Sequence, residues 1–196
     1  QQAQQLDGSA ELVDKFREEQ ARLGLEQTRR LLERGETALA QRQIAKLEQR
    51  RLGGDERRRW KLIVHLITQA RERAYVGEFV EACELLDRAS RLLPSNVDPL
   101  AEEIASRQRK LLANNEKLRP LVTTLHAAVA SESWSEVLTT TDAMLELAAA
   151  YPPAVEARPK AWQAVGMKAP AKRIANFAPA ARRPGPFPAG VSRWRG

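Results

Sequence analysis

The chain has 196 residues, of which 43% are hydrophobic and only 5% aromatic, and its formal net charge is +7. Ala, Leu, Glu, Arg and Gln dominate. Because these residues lose little side-chain freedom in a helix, the composition predicts an all-α protein. No apolar run reaches the about eighteen residues of a membrane-spanning helix, and the first residues lack the basic start of a signal peptide, so we expect a cytoplasmic protein without a membrane partner.

The positive charge is concentrated near the C-terminal end. Seven basic residues and no acid lie from Lys168 onward, so the other 25 basic residues (32 less 7) balance all 25 acids. Five of the eleven prolines also lie there. Since proline removes a backbone donor and few aliphatic side chains are present, residues 167–196 are predicted to form a disordered, Pro- and Arg-rich basic tail.

Apolar residues at three- and four-residue spacing predict eight helices before that tail. We expect Ser9 to cap the first helix, which ends before Gly35, and a second helix to end at Gly53. Asp55 is expected to cap a third, which ends near Gly77. Connections this short predict antiparallel hairpins.

Prolines limit the later helices. A fourth helix is predicted over residues 79–93, and Asp98 before Pro99 starts a long fifth, because proline is tolerated in a first turn. Pro120 is expected to kink or restart that helix, which makes residues 121–131 a sixth. A seventh helix is predicted over residues 134–149, and an eighth follows Pro152 and Pro153, with Pro159 expected to bend or shorten it.

The hairpins repeat a pattern. The segments "RGETALAQRQIAKLEQ", "VGEFVEACELLDRASRLLP" and "ESWSEVLTTTDAMLELAAAYP" fall into register when they are aligned by their turns. The middle segment has a small turn residue, an aromatic, two small packing residues and a closing proline, and these features are carried by Gly77, Phe79, Ala82, Leu86, Ala89, Leu92 and Pro94.

This pattern resembles the second half of a tetratricopeptide repeat. In that family the small residues let one helix nest against its partner, and stacked pairs form a superhelix whose concave groove binds peptides. The resemblance implies antiparallel helical hairpins stacked as a tetratricopeptide-like superhelix over residues 20–166, preceded by a helical extension at residues 1–19. The third unit keeps its aromatic at Trp134, whereas the first has Thr37 there.

The layout is also similar to the helical region of some bacterial signalling proteins. In those proteins a Pro- and Arg-rich linker leads from tetratricopeptide-like helices to a forkhead-associated domain. This chain shows no strand pattern for such a domain.

Nothing in the sequence favours an enzyme. Cys83 is predicted to lie inside a packing helix, whereas a nucleophilic thiol needs a base and a stabilised thiolate. His65 and His126 fall in different hairpins, and no spacing of Cys, His or carboxylates is typical of a metal site. We therefore expect no catalytic residue, no metal and no cofactor.

Two groups of charged residues are candidates for binding a partner. A basic turn, defined as residues 50–61, contains six cations: Arg50, Arg51, Arg57, Arg58, Arg59 and Lys61. Three further residues are expected on the concave face, where the first helix of each hairpin lies: His65, Arg71 and Arg73.

The sequence as a whole favours a non-catalytic scaffold that binds a protein, as a peptide or partner helix, on the concave face. The alternative is a helical protein that binds RNA or DNA through the basic turn and the tail, since clustered arginines neutralise phosphates. The sequence leaves the identity of the partner and the oligomeric state open.

Overall fold

The structure is a computed structural model that describes residues 2–95 and 98–166. Within those residues it is all helical, as predicted, and contains seven helices and no strand. The helices are α1 (Gln2–Glu33), α2 (Thr37–Gln49), α3 (Gly54–Tyr75), α4 (Phe79–Arg91), α5 (Pro99–Ala130), α6 (Trp134–Leu147) and α7 (Pro152–Ala164). The predicted tail, residues 167–196, lies outside the described residues.

The first six helices form three hairpins whose turns share one geometry. Each turn has three residues, and the middle one adopts a positive φ: 75° at Gly35, 86° at Gly77 and 55° at Glu132. In each turn the following amide donates to a carbonyl five residues earlier, as from Glu78 to Arg73 at 2.9 Å. These bonds satisfy the free carbonyls at the end of the first helix. The predicted register of the three segments is therefore confirmed at their turns.

Small residues set how closely the helices approach. Gly24 lies inside α1 where α2 crosses it, and a Cβ atom there would come within 2.6 Å of the Leu47 side chain. Ala82 and Ala89 are fully buried on α4, as the packing pattern predicted. Glycine and alanine at these crossings let neighbouring helix backbones come close together.

Two hydrophobic cores share α5. The first core joins the second half of α1 to α2, α3, α4 and the start of α5, where Leu100 and Ile104 are buried. The second core joins the far half of α5 to α6 and α7 and includes Phe79, the first residue of α4. Because α5 has 32 residues, it is about 48 Å long and carries both cores along its length.

The end of α1 packs directly against α5. Arg107 on α5 donates to the carbonyls of Leu32 at 2.8 Å and Glu33 at 3.1 Å, the last residues of α1. The side chain of Arg107 therefore occupies carbonyls that the helix end leaves free, where positive charge is favourable. The amide of Ala150 donates to the carbonyl of Tyr75 at 3.0 Å, so the α6–α7 connection packs on the end of α3.

Two predicted helix limits are wrong. Pro120 does not end α5, because its exposed position lets water reach the carbonyl that loses an amide partner. Pro159 lies inside α7, and that helix continues beyond it to Ala164. Ser9 lies inside α1 rather than at its start.

The structure also corrects one predicted cap and confirms another. Asp55 lies in the first turn of α3, after Gly53 at the cap position. By contrast, Asp98 caps α5 as predicted: its carboxylate accepts from the Leu100 amide at 2.9 Å, and Pro99 is the first helical residue.

Candidate functional site

One cavity among the described residues, here called the central groove, has a volume of about 300 Å³. It lies between α3 and α5, below the turn that joins α1 to α2. Ile67, Ala70 and Leu86 line it, and all three are buried. Ala74 and Leu111 are partly buried and also line the groove, so its inner surface is apolar.

Two arginines, Arg71 and Arg107, lie at the rim of the central groove. The guanidinium of Arg107 donates hydrogen bonds to the end of α1 and to Glu103, whose carboxylate accepts from Nε at 2.7 Å. Arg71 is exposed, and its Nη1 is 3.5 Å from both the Gly35 carbonyl and the Thr37 hydroxyl. The Arg71 side chain thus lies at the rim of the groove, beside the turn that joins α1 to α2.

The structure separates the three residues expected on the concave face. Arg71 lines the central groove, whereas Arg73, two residues later and about 200° round the helix, forms an ion pair with Glu78. The Glu78 carboxylate stabilises the charged guanidinium and raises the pKa of Arg73. His65 is exposed on α3 and does not line the groove.

Three cations of the basic turn have partners within the protein. Arg57 donates to the carbonyl of Leu52 at 2.9 Å and so closes the turn between α2 and α3. Arg58 pairs with Asp55 at 3.2 Å. Lys61 pairs with Glu48 at 2.9 Å, and this hydrogen bond lowers the pKa of that carboxyl. Arg59 is exposed, and it has no ion-pair partner among the described residues.

Cys83 lies inside α4, as predicted, and is partly buried. Its Sγ lies 3.7 Å from the Gln108 carbonyl, and desolvation raises the pKa of the thiol, which favours its protonated form. His65 and His126 are both exposed, on α3 and on the far half of α5. His126 is 18 residues beyond Gln108 on the same helix, which is about 27 Å along its axis.

Sequence reasoning missed Arg107, Leu111 and Thr37, which line the central groove. The only local signal at Arg107 is the spacing of four residues from Glu103, which is typical of any surface ion pair on a helix. Nothing local indicates that Arg107 reaches the end of α1, 74 and 75 residues earlier in the chain.

Comparisons of the chain with models of protein families, with curated proteins and with solved structures found no match. Among the described residues, no group of three or more His, Cys, Asp or Glu side chains could hold a metal ion. The same part of the chain contains no helix that is both long and apolar enough to span a bilayer.

Proposed function

We propose that this chain is a non-catalytic scaffold of tetratricopeptide-like hairpins that acts in the cytoplasm and binds a peptide of another protein in the central groove. The observation that carries the proposal is the pairing of an apolar inner surface with the exposed guanidinium of Arg71 at its rim. Apolar pockets with a few polar groups that fix orientation are typical of ligand sites.

The chemistry of the groove indicates what such a peptide contains. An apolar side chain removes the partly buried Ala74 and Leu111 from water. A neighbouring carboxylate accepts from Arg71, and charge-assisted bonds of this kind are about twice as strong as neutral ones. The partner is therefore a peptide with an apolar residue next to an acidic one.

Nucleic-acid binding through the basic turn receives less support. Arg57 donates to backbone carbonyls, and Arg58 and Lys61 face carboxylates, so three of the six cations of the basic turn are occupied within the protein. The other three have no ion-pair partner among the described residues: Arg50, Arg51 and Arg59. Binding to phosphates requires cations that can exchange their counterions for phosphates.

A peptide library displayed on phage and selected on the full chain tests this function. Selected peptides are then titrated against two variants by isothermal calorimetry. Arg71→Glu reverses the charge at the rim, and Ala74→Phe fills the groove. We expect each change to raise the dissociation constant at least about tenfold. Arg71→Glu removes a charge-assisted hydrogen bond, which contributes about 1.5–3 kcal/mol, and Ala74→Phe fills the space that the apolar side chain of the peptide would occupy.

Arg73→Glu is the matched control, because Arg73 is an exposed arginine on the same helix as Arg71 and does not line the groove. It should leave the affinity unchanged, and circular dichroism should show the same helicity for all variants. Failure to select any peptide, or selected peptides that bind Arg71→Glu and Ala74→Phe as well as the original chain, would contradict the proposal.

A further inference from the structure

A second surface of the chain lies on the first half of α1. Residues 11–19 are exposed along their whole length, so this half projects beyond the first core. The outer ridge is formed by the exposed apolar side chains of this helix: Leu12, Val13, Phe16 and Leu23. Leu12 is 69% exposed and Phe16 63%, which is unusual for residues that large.

The outer ridge does not belong to the face that builds the first core. Between residues 11 and 33, the buried residues of α1 are Ala21, Gly24, Leu25, Thr28 and Leu32. At about 100° per residue, Leu12, Phe16 and Leu23 fall within about 40° of one another and on the side of α1 opposite to those buried residues. The helix therefore carries two apolar stripes, of which only one is covered by the described residues.

The outer ridge leads into a second cavity, the α1–α2 groove, of about 320 Å³. Leu23 and Gly24 of α1 line one side, and Leu47 and Leu52 lie opposite; the lining also includes three glutamines, Gln20, Gln27 and Gln43. Gly24 lets the two helices approach closely, because the Leu47 side chain lies where a Cβ atom of residue 24 would be. Leu23 belongs both to the outer ridge and to the lining of the groove, so a single helix can cover both.

Charge distinguishes the two ends of this surface. Residues 11–19 contain four acids and two bases, a net charge of −2. Three of the acids pair with cations of the same helix, Glu11 with Lys15, Asp14 with Arg17 and Glu19 with Arg22, and Glu18 has no ion-pair partner among the described residues. At the α1–α2 groove, Lys46 and Arg50 have no ion-pair partner among the described residues and contribute +2. The projecting half of α1 and the groove at its other half therefore carry opposite charges.

We propose that two copies of the chain associate about a two-fold axis, with the projecting half of each α1 lying antiparallel in the α1–α2 groove of the other copy. One chain carries both the ridge and the groove, so a two-fold axis satisfies both contacts at the same time. Each copy then buries its outer ridge, and the acidic half of one α1 approaches Lys46 and Arg50 of the second copy.

This dimer does not depend on the proposed function, because the α1–α2 groove and the central groove share no lining residue. Light scattering after gel filtration of the full chain tests it. A dimer has twice the chain mass of 21.9 kDa, about 44 kDa, and should dissociate on dilution.

Two variants identify the surface. Leu12→Asp with Phe16→Asp should raise the dimer dissociation constant roughly a hundredfold or more, because burying two such side chains is worth several factors of ten. Lys46→Glu with Arg50→Glu should weaken the dimer by a smaller factor. All four residues lie at the surface or the groove rim, so circular dichroism should show unchanged helicity.

Leu112→Asp is the control, since Leu112 is also an exposed leucine, 50% exposed, but lies on α5 and outside the outer ridge. It should leave the dimer intact. A chain that stays monomeric at every concentration, or a dimer that survives Leu12→Asp with Phe16→Asp, would overturn the proposal and leave the ridge as a surface for a helix of a different protein.

Discussion

A single left-handed residue closes each of the three hairpins. Gly35 and Gly77 adopt this conformation without a Cβ penalty, whereas Glu132 adopts it with one. Gly77 has a second constraint, because the ring of Tyr151 would lie 2.6 Å from any Cβ atom placed there. Gly77 therefore ends α3 and also provides the space in which the α6–α7 connection packs.

Gly77→Ala tests this double role. The substitution should lower the free energy of unfolding by about 2–5 kcal/mol, since a left-handed alanine costs about 1–2 kcal/mol and overpacking costs about 1–3 kcal/mol. Urea denaturation followed by circular dichroism measures it. Gly35→Ala is the matched control: its nearest neighbour would be 3.7 Å away, so only the left-handed cost applies. Equal losses for both variants would show that the Tyr151 contact is unimportant.

At the scale of elements, α5 is a helix that contributes buried residues to both cores. It contacts α4 and α6 along its two halves, and Arg107 fastens the end of α1 to it. Pro120 lies in its interior and deprives the Glu116 carbonyl of an amide partner. The helix remains continuous because Pro120 is exposed and because the two halves of the helix pack in the two cores.

Pro120→Ala should therefore raise the stability of the protein. Restoring the amide removes a penalty of up to about 3 kcal/mol, and the greater freedom of the unfolded chain offsets about 0.4–1 kcal/mol, so we expect a gain of about 1–2 kcal/mol in thermal or urea unfolding. Pro99→Ala should bring no gain, because Pro99 occupies the first turn, where no helical bond is lost. A destabilised Pro120→Ala protein would mean that α5 requires a bend at this point.

At the scale of the whole molecule, the fold consists of two cores arranged along one long helix. Phe79 connects them: it begins α4, most of which packs in the first core, but its own side chain is buried in the second. The end of α1 also contacts α5, through Arg107. Arg107 and the turn after α1 line the central groove together with residues of α3.

Phe79→Ala should destabilise the second core more than the first. Removing a buried phenylalanine costs about 3–5 kcal/mol, and the loss falls on α6, α7 and the far half of α5. Hydrogen exchange measured by mass spectrometry should show faster exchange there than in α1–α3. Leu86→Ala, on the same helix but in the first core, should produce the opposite distribution. Uniform acceleration in both variants would indicate one cooperative unit.

The sequence by itself determined the helices, the three aligned turns and the burial of Ala82 and Ala89. These features depend on side-chain periodicity and on backbone preferences of nearby residues, which a single sequence displays directly. The prediction that a new helix starts after Pro120 was wrong. The sequence shows the local cost of a proline inside a helix, but it does not show the packing that outweighs this cost.

Only the tertiary structure decided which side chains meet. It placed Arg71 at the groove and Arg73 away from it, and it brought Arg107 to the end of α1, 74 and 75 residues away in sequence. Contacts at such separations depend on helix lengths and crossings throughout the chain, and helical periodicity does not specify them. For the same reason, the site residues predicted from composition and spacing are distributed over several surfaces instead of one.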